Sequence, residues 1–119
     1  MSSKLALSIV LPVYNEQDAI PVLLKELYSV CNSLNKEFEI IFVDDYSSDR
    51  TPTILDELAR KDVRVKVLRF SRNFGHQAAL SAGMDVSSGQ YVLTMDSDLQ
   101  HPPRMIPEFL KKAESGSDV

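Results

Sequence analysis

Four short apolar runs, at residues 5–13, 38–43, 63–70 and 91–95, alternate with stretches whose apolar residues recur at helical spacing. This alternation constrains the fold more than any other feature. Parallel strands can be joined only by a crossover long enough to hold a helix, so strands alternating with helices make a parallel sheet. Such crossovers are right-handed. The second and fourth runs are near-continuous and rich in β-branched or aromatic residues, as expected of strands buried on both faces.

The segments between the runs read as helices. Ile20, Leu23, Leu24, Leu27, Cys31 and Leu34 form one apolar face. Asp18 is the expected N-cap, which puts Pro21 in the tolerant first turn. A second helix starts near Asp49, with Pro52 early and Ile54, Leu55 and Leu58 facing inward. A third, over 76–86, carries Ala78, Ala79, Ala82 and Gly83, small residues that permit close packing on a sheet. Pro102 and Pro103 open a fourth, with Met105, Ile106, Phe109, Leu110 and Ala113 inward. The predicted fold class is α/β, a Rossmann-like parallel sheet with helices on both faces.

A length of 119 residues allows one domain, 1–119, and no second core. Glu114-Ser115-Gly116-Ser117-Asp118-Val119 reads as a helix stop followed by the first residue of another strand, so the domain is expected to be truncated at its C-terminal end. The 44% hydrophobic and 25% charged content suits a soluble globular protein. A net charge of -4 without a basic stripe argues against a nucleic-acid partner. Cys31 is the only cysteine, which excludes an internal disulfide and a zinc site built on several thiolates. The apolar run up to Tyr14 is broken by Ser8 and Pro12 and is too short to span a bilayer. It lacks the small-residue cleavage site of a signal peptide and is expected to be a buried first strand.

In open α/β sheets, ligands bind outside the carboxyl ends of the strands. Here those ends hold Pro12-Val13-Tyr14-Asn15-Glu16, then Asp44-Asp45-Tyr46-Ser47-Ser48-Asp49, then Asp96-Ser97-Asp98-Leu99-Gln100. Carboxylates gathered this closely disfavour one another's ionisation unless a cation or donors offset them. Asp96 and Asp98, with Gln100 continuing their spacing, offer oxygens that suit Mg2+ or Mn2+ bridging to a diphosphate; a strand end and helix cap would use the same residue types. Asp44 and Asp45 suit either a turn before a helix or recognition of a nucleobase N–H. Tyr14 and Glu16 fit strand-end packing and a first-turn acid equally well. Arg72 could neutralise a diphosphate or simply lie exposed. His76 and His101 show no zinc-binding partner pattern and are expected to be surface or capping residues.

Taken in order, Pro12-Val13-Tyr14-Asn15-Glu16, Val43-Asp44-Asp45 with Ser47-Ser48-Asp49, Arg72-Asn73-Phe74-Gly75, and Asp96-Ser97-Asp98-Leu99-Gln100 with Pro102-Pro103 resemble the family 2 inverting glycosyltransferases. The likeness is greatest to the branch that moves hexoses onto polyprenyl (dolichyl or undecaprenyl) phosphates. It covers nearly the whole chain, as an N-terminal fragment. It implies the nucleotide-binding half of a GT-A fold that takes a UDP- or GDP-linked sugar. It further implies that Pro12, Tyr14, Glu16, Val43 and Asp45 contact the nucleoside, that Asp96 and Ser97 lie by the ribose and diphosphate, and that Asp98 and Gln100 hold the metal. The acceptor implied is a lipid phosphate, and the location is the cytoplasm or the cytoplasmic face of a membrane. Catalytic residues on the acceptor side are expected beyond Val119. Tyr46 stands where the family usually has Gly, so a turn with positive φ would be strained there. Ser97 replaces a more usual Ala.

Two other classes share part of this pattern. A phosphoacceptor receiver domain has its acidic pair after the first strand, whereas here the acidic sites follow the second and fourth. A sugar nucleotidyltransferase would carry a Gly-rich phosphate loop after its first strand, and no glycine precedes Gly75.

Overall fold

Every residue of β1 (Leu7–Val13) and β2 (Phe38–Asp44) is buried, which requires neighbouring strands on each side and cover on both faces. In the computed structural model, which describes residues 5–34, 36–95 and 103–115, those neighbours are β3 (Val65–Arg69) and β4 (Tyr91–Thr94). The strands form one parallel sheet in the order β3-β2-β1-β4. Val13 pairs with Asp44, and Asp44 with Arg69, so the first three strands reach their carboxyl ends together.

Side-chain alternation divides the core between two faces. Leu7, Ile9, Leu11 and Val13 of β1 join Phe38, Ile40 and Phe42 of β2 in one cluster. It is covered by α1 (Ala19–Ser33), α2 (Thr51–Lys61) and α4 (Ile106–Glu114), the last entered through a 3-10 turn at Pro103–Met105. Val10, Ile41 and Val43 face the other way, against Ala79 of α3 (His76–Asp85). The small residues of α3 do what their size predicts. A Cβ on Gly83 would lie 2.3 Å from Val10 Cγ1 and 3.1 Å from Val43 Cγ2, so only glycine lets this helix lie so close to the sheet.

Several expectations need correcting. The fourth run is not buried on both faces, because β4 is an edge strand among the described residues, and Tyr91, Val92 and Leu93 are only half-buried. The strand buried throughout besides β2 is β1, which has a partner on each side. Val63 lies outside β3 and is 90% exposed. Met105 belongs to the 3-10 turn and points away from the core, while Ile106 and Leu110 carry the buried face of α4. Asp18 does precede α1, but its side chain makes no capping bond, and the N–H groups of Ala19 and Ile20 donate to the Glu16 carbonyl instead. Cys31 is fully buried, as a small core residue should be, and burial pushes its thiol up to about 11.

The amino end of the sheet holds a buried carboxylate that the residue pattern did not single out. Glu39 Oε2 accepts the Ser8 hydroxyl (2.5 Å) and the Ser88 N–H (2.7 Å), and Oε1 lies 2.5 Å from Lys66 Nζ. The Gly89 N–H donates in turn to Ser8 Oγ, which ties the α3–β4 loop under the sheet. Burial alone would raise the Glu39 carboxyl, but Lys66, Ser8 and Ser88 together hold it below the usual carboxylate range. Glu39 is therefore structural and lies at the opposite end from the candidate site.

Candidate nucleotide-sugar site

Beyond β1 the chain turns at Asn15, whose φ of 52° is one that asparagine tolerates better than most residues. Its Oδ1 accepts the N–H groups of Ser48 (2.8 Å) and Asp49 (3.3 Å), and its own N–H donates to Ser47 Oγ (2.9 Å). The next two N–H groups continue the seam, Glu16 to Thr51 Oγ1 (3.0 Å) and Gln17 to Asp49 Oδ2 (3.3 Å). The β1 and β2 loops are thus stitched side by side. Burial would push the Asp49 carboxyl up, but donors from Thr51 and Gln17 outweigh it and hold it low, so it stays an acceptor.

A second seam runs from β2 to the loop after β3. Asp45, 6% exposed, accepts the Phe74 N–H at Oδ1 (2.7 Å) and the Gly75 N–H at Oδ2 (3.0 Å), while its carbonyl accepts Asn73 Nδ2 (3.2 Å). Gly75 has φ 97°, a conformation that favours glycine and opens α3. Asp44 is fully buried. Its Oδ1 accepts the Ser47 N–H (3.0 Å), and Oδ2, which has no hydrogen-bond partner among the described residues, faces Arg69 Nε at 3.6 Å.

These seams bring most of the described candidate residues to one edge. Tyr14 is 49% exposed at the end of β1, Glu16 is half-buried, and Asp45 lies one residue past β2, with its N–H on the Val13 carbonyl. Arg72 is exposed, with its guanidinium 4.7 Å from the centre of the Phe74 ring, which packs edge-on against Phe70. Pro12 and Val43 are different, because both are buried within the strands and Val43 lies beneath α3. Asp96, Ser97, Asp98 and Gln100 lie outside the described residues. Met95, immediately before them, donates its N–H to the Val10 carbonyl, so β4 stays zipped to β1 up to that motif. Among the described residues no group of three or more His, Cys, Asp or Glu side chains could hold a metal ion.

Residue types alone did not mark Asn15, Asn73, Asp49 and Thr51 as parts of this architecture. The available signal was Asn15 directly after a strand, where a left-handed turn and a side-chain acceptor are both useful. Its partners lie more than thirty residues away, and no local pattern reveals them.

Residues 8–119 match the family model described as Glycosyl transferase family 2. An undecaprenyl-phosphate 4-deoxy-4-formamido-L-arabinose transferase of Edwardsiella ictaluri (strain 93-146) is 46% identical over 113 residues, which are 94% of this chain and 35% of that protein. S. aureus TarS 1-349 in complex with UDP-GlcNAc is similar with TM-score 0.67 and 29% identity, over 79% of this chain and 27% of that one. Mannosyltransferase PcManGT from Pyrobaculum calidifontis, in complex with GDP-Man and Mn2+, has TM-score 0.76 at 20% identity, over 98% of this chain and 34% of that one. At that identity the likeness concerns the fold alone. The GT-A architecture implied by the motifs is the one shared with these neighbours. The chain spans about a third of the length of the curated relatives it matches.

Proposed function

The chain belongs to glycosyl transferase family 2, and from that premise we propose that it is the donor-binding part of an inverting, metal-dependent glycosyltransferase that moves a hexose from a nucleoside-diphosphate sugar to a polyprenyl phosphate. One observation carries the reading: two hydrogen-bonded seams, through Asn15 and through Asp45, converge at the carboxyl ends of β1, β2 and β3. That is where an open α/β sheet takes its ligand.

In this reading Tyr14 and Glu16 flank the nucleoside, and Asp45 presents acceptor oxygens to a base N–H while holding the 73–75 loop. Pro12 and Val43, buried beneath, keep those groups in register. Arg72 would approach the diphosphate, and Asp96 and Ser97 would lie by the ribose and diphosphate. Asp98 and Gln100, with Asp96, are the residues that would hold Mg2+ or Mn2+. Their carboxylate and amide oxygens are the donors hard cations take, and the ion would neutralise charge on the departing diphosphate.

The reaction is an in-line displacement. An acceptor phosphate oxygen forms a bond to the anomeric carbon as the bond to the nucleoside diphosphate breaks, and the electron pair leaves with that diphosphate. Attack from the opposite face inverts the anomeric centre. The acceptor is already anionic at neutral pH, so a strong general base matters less than it would for a hydroxyl. The proposed setting is the cytoplasm or the cytoplasmic face of a membrane. Among the described residues no helix is long and apolar enough to cross one.

Titration of the chain with UDP and with GDP, each with and without Mn2+, tests this reading. Metal-dependent binding of one nucleotide, abolished by Asp98→Asn, is the expected result. Binding of neither would overturn it.

A further inference from the structure

Tyr46 follows Asp45 directly and has φ 65°, in the left-handed region. Aromatic side chains are strained there, and glycine would adopt the same turn freely. Asn15, the other described non-glycine residue with positive φ, uses its side chain for the seam to Ser48 and Asp49. Tyr46 has no such return. Its side chain is 56% exposed, and among the described residues it makes no hydrogen bond and no ring contact. The conformation is imposed from both sides, by Asp45 N–H on the Val13 carbonyl and by Ser47 N–H on Asp44 Oδ1. Strain that persists without an internal contact to offset it points outward, to something the ring meets.

Two further aromatic side chains share this edge. Tyr14 at the end of β1 is 49% exposed and Phe74 after β3 is 48% exposed, with Tyr46 after the strand between them. We propose that Tyr46 is a donor-binding residue whose ring lies against the flat face of the donor's nucleobase, beside Asp45. This rests on the donor-binding reading above. A base suits the position because it offers a π-face to the ring and a polar edge to the carboxylate. The diphosphate suits it less, since the Asp45 carboxylate offers an anion no donor.

The experiment measures three quantities on the chain and its variants: thermal midpoint, affinity for UDP and GDP with Mn2+, and binding to anionic lipid vesicles. Tyr46→Gly relieves the backbone, so its midpoint is expected to rise by roughly 2–6 °C. Its affinity for the preferred nucleotide is expected to fall about tenfold, the scale of one lost base–aromatic stack. Tyr46→Phe keeps the ring and is expected to stay within about twofold of the unaltered chain, because stacking needs the ring and not the hydroxyl. A higher midpoint with unchanged affinity in Tyr46→Gly would overturn the proposal. A fall in both midpoint and affinity would make the residue structural and overturn it too. Loss of binding to anionic lipid vesicles with nucleotide affinity intact would assign the ring to a membrane surface instead. If the unaltered chain binds neither nucleotide, the donor-binding reading fails, and this inference with it.

Discussion

Both oxygens of Asp45 accept backbone N–H groups from residues 29 and 30 positions further on. A carboxylate oxygen has two acceptor positions, so these bonds leave capacity for a third donor while fixing where the carboxylate stands. Sequence reasoning left Asp45 open between a turn and a nucleotide contact. The geometry shows a tie between β2 and the loop that starts α3, a role invisible locally because its partners belong to another strand's loop. Asp45→Asn replaces one acceptor oxygen with an NH2 that meets a backbone N–H. The variant is expected to lose about 1–3 kcal/mol of stability, the usual cost of an unsatisfied buried group. Chemical denaturation reads that loss, and hydrogen exchange should show the Phe74 and Gly75 amides losing protection first. Unchanged protection at those two amides would contradict the bonds described.

At the scale of elements, the turn from α2 into β3 is fastened to two neighbouring elements by a charged cluster. Asp62 accepts the Arg64 guanidinium (2.9 Å) and the Tyr28 hydroxyl of α1 (2.6 Å), while Arg64 lies over the rings of Tyr28 and of Phe38 in β2, at 5.4 and 4.6 Å. The Arg64 hydrogen bonds, opposed by burial and aided by Tyr28, bring the Asp62 carboxyl down to about 2. Burial and the Asp62 carboxylate push the Tyr28 hydroxyl the other way, up to about 12. A depressed folded-state value means that Asp62 stabilises fully above its unfolded value near 3.8 and loses that contribution as pH falls toward 2. Arg64 is 41% exposed, so solvent screening reduces the contribution to on the order of 1 kcal/mol. Asp62→Asn is expected to flatten the stability-against-pH curve between about pH 4 and 2, measured by urea unfolding at fixed pH. An unaltered curve would show the cluster to be energetically silent. Neither the Tyr28 nor the Phe38 contact was legible from the α2–β3 segment, because helix and strand meet it only after folding.

For the whole molecule, the share of its relatives that the chain matches frames the proposed chemistry. The chain covers about a third of each curated relative, and an acceptor groove, a base and any membrane anchor are proposed to lie in the remainder of such a protein. On that proposal, these 119 residues alone are expected to bind donor nucleotide weakly and to transfer no sugar above background in a radiolabelled-donor assay with polyprenyl phosphate. Robust turnover would show that the acceptor side is already present. The element order and the class of fold were legible without coordinates, since periodicity is a local property and β1, β2 and the α1 face carry it strongly. The exposed Val63 and Met105 and the half-buried β4 were misread, because apolar character alone does not say whether a neighbour will arrive. Sequence by itself determined the alternation, the parallel sheet, and the presence of polar motifs at its strand ends. Tertiary structure alone decided that Asn15 and Asp45 stitch three of those ends together, and that Tyr46 takes a left-handed turn with its side chain half exposed. The physical reason is range: helix and strand periods extend over a few residues, whereas a hydrogen bond across a sheet edge joins residues about thirty apart.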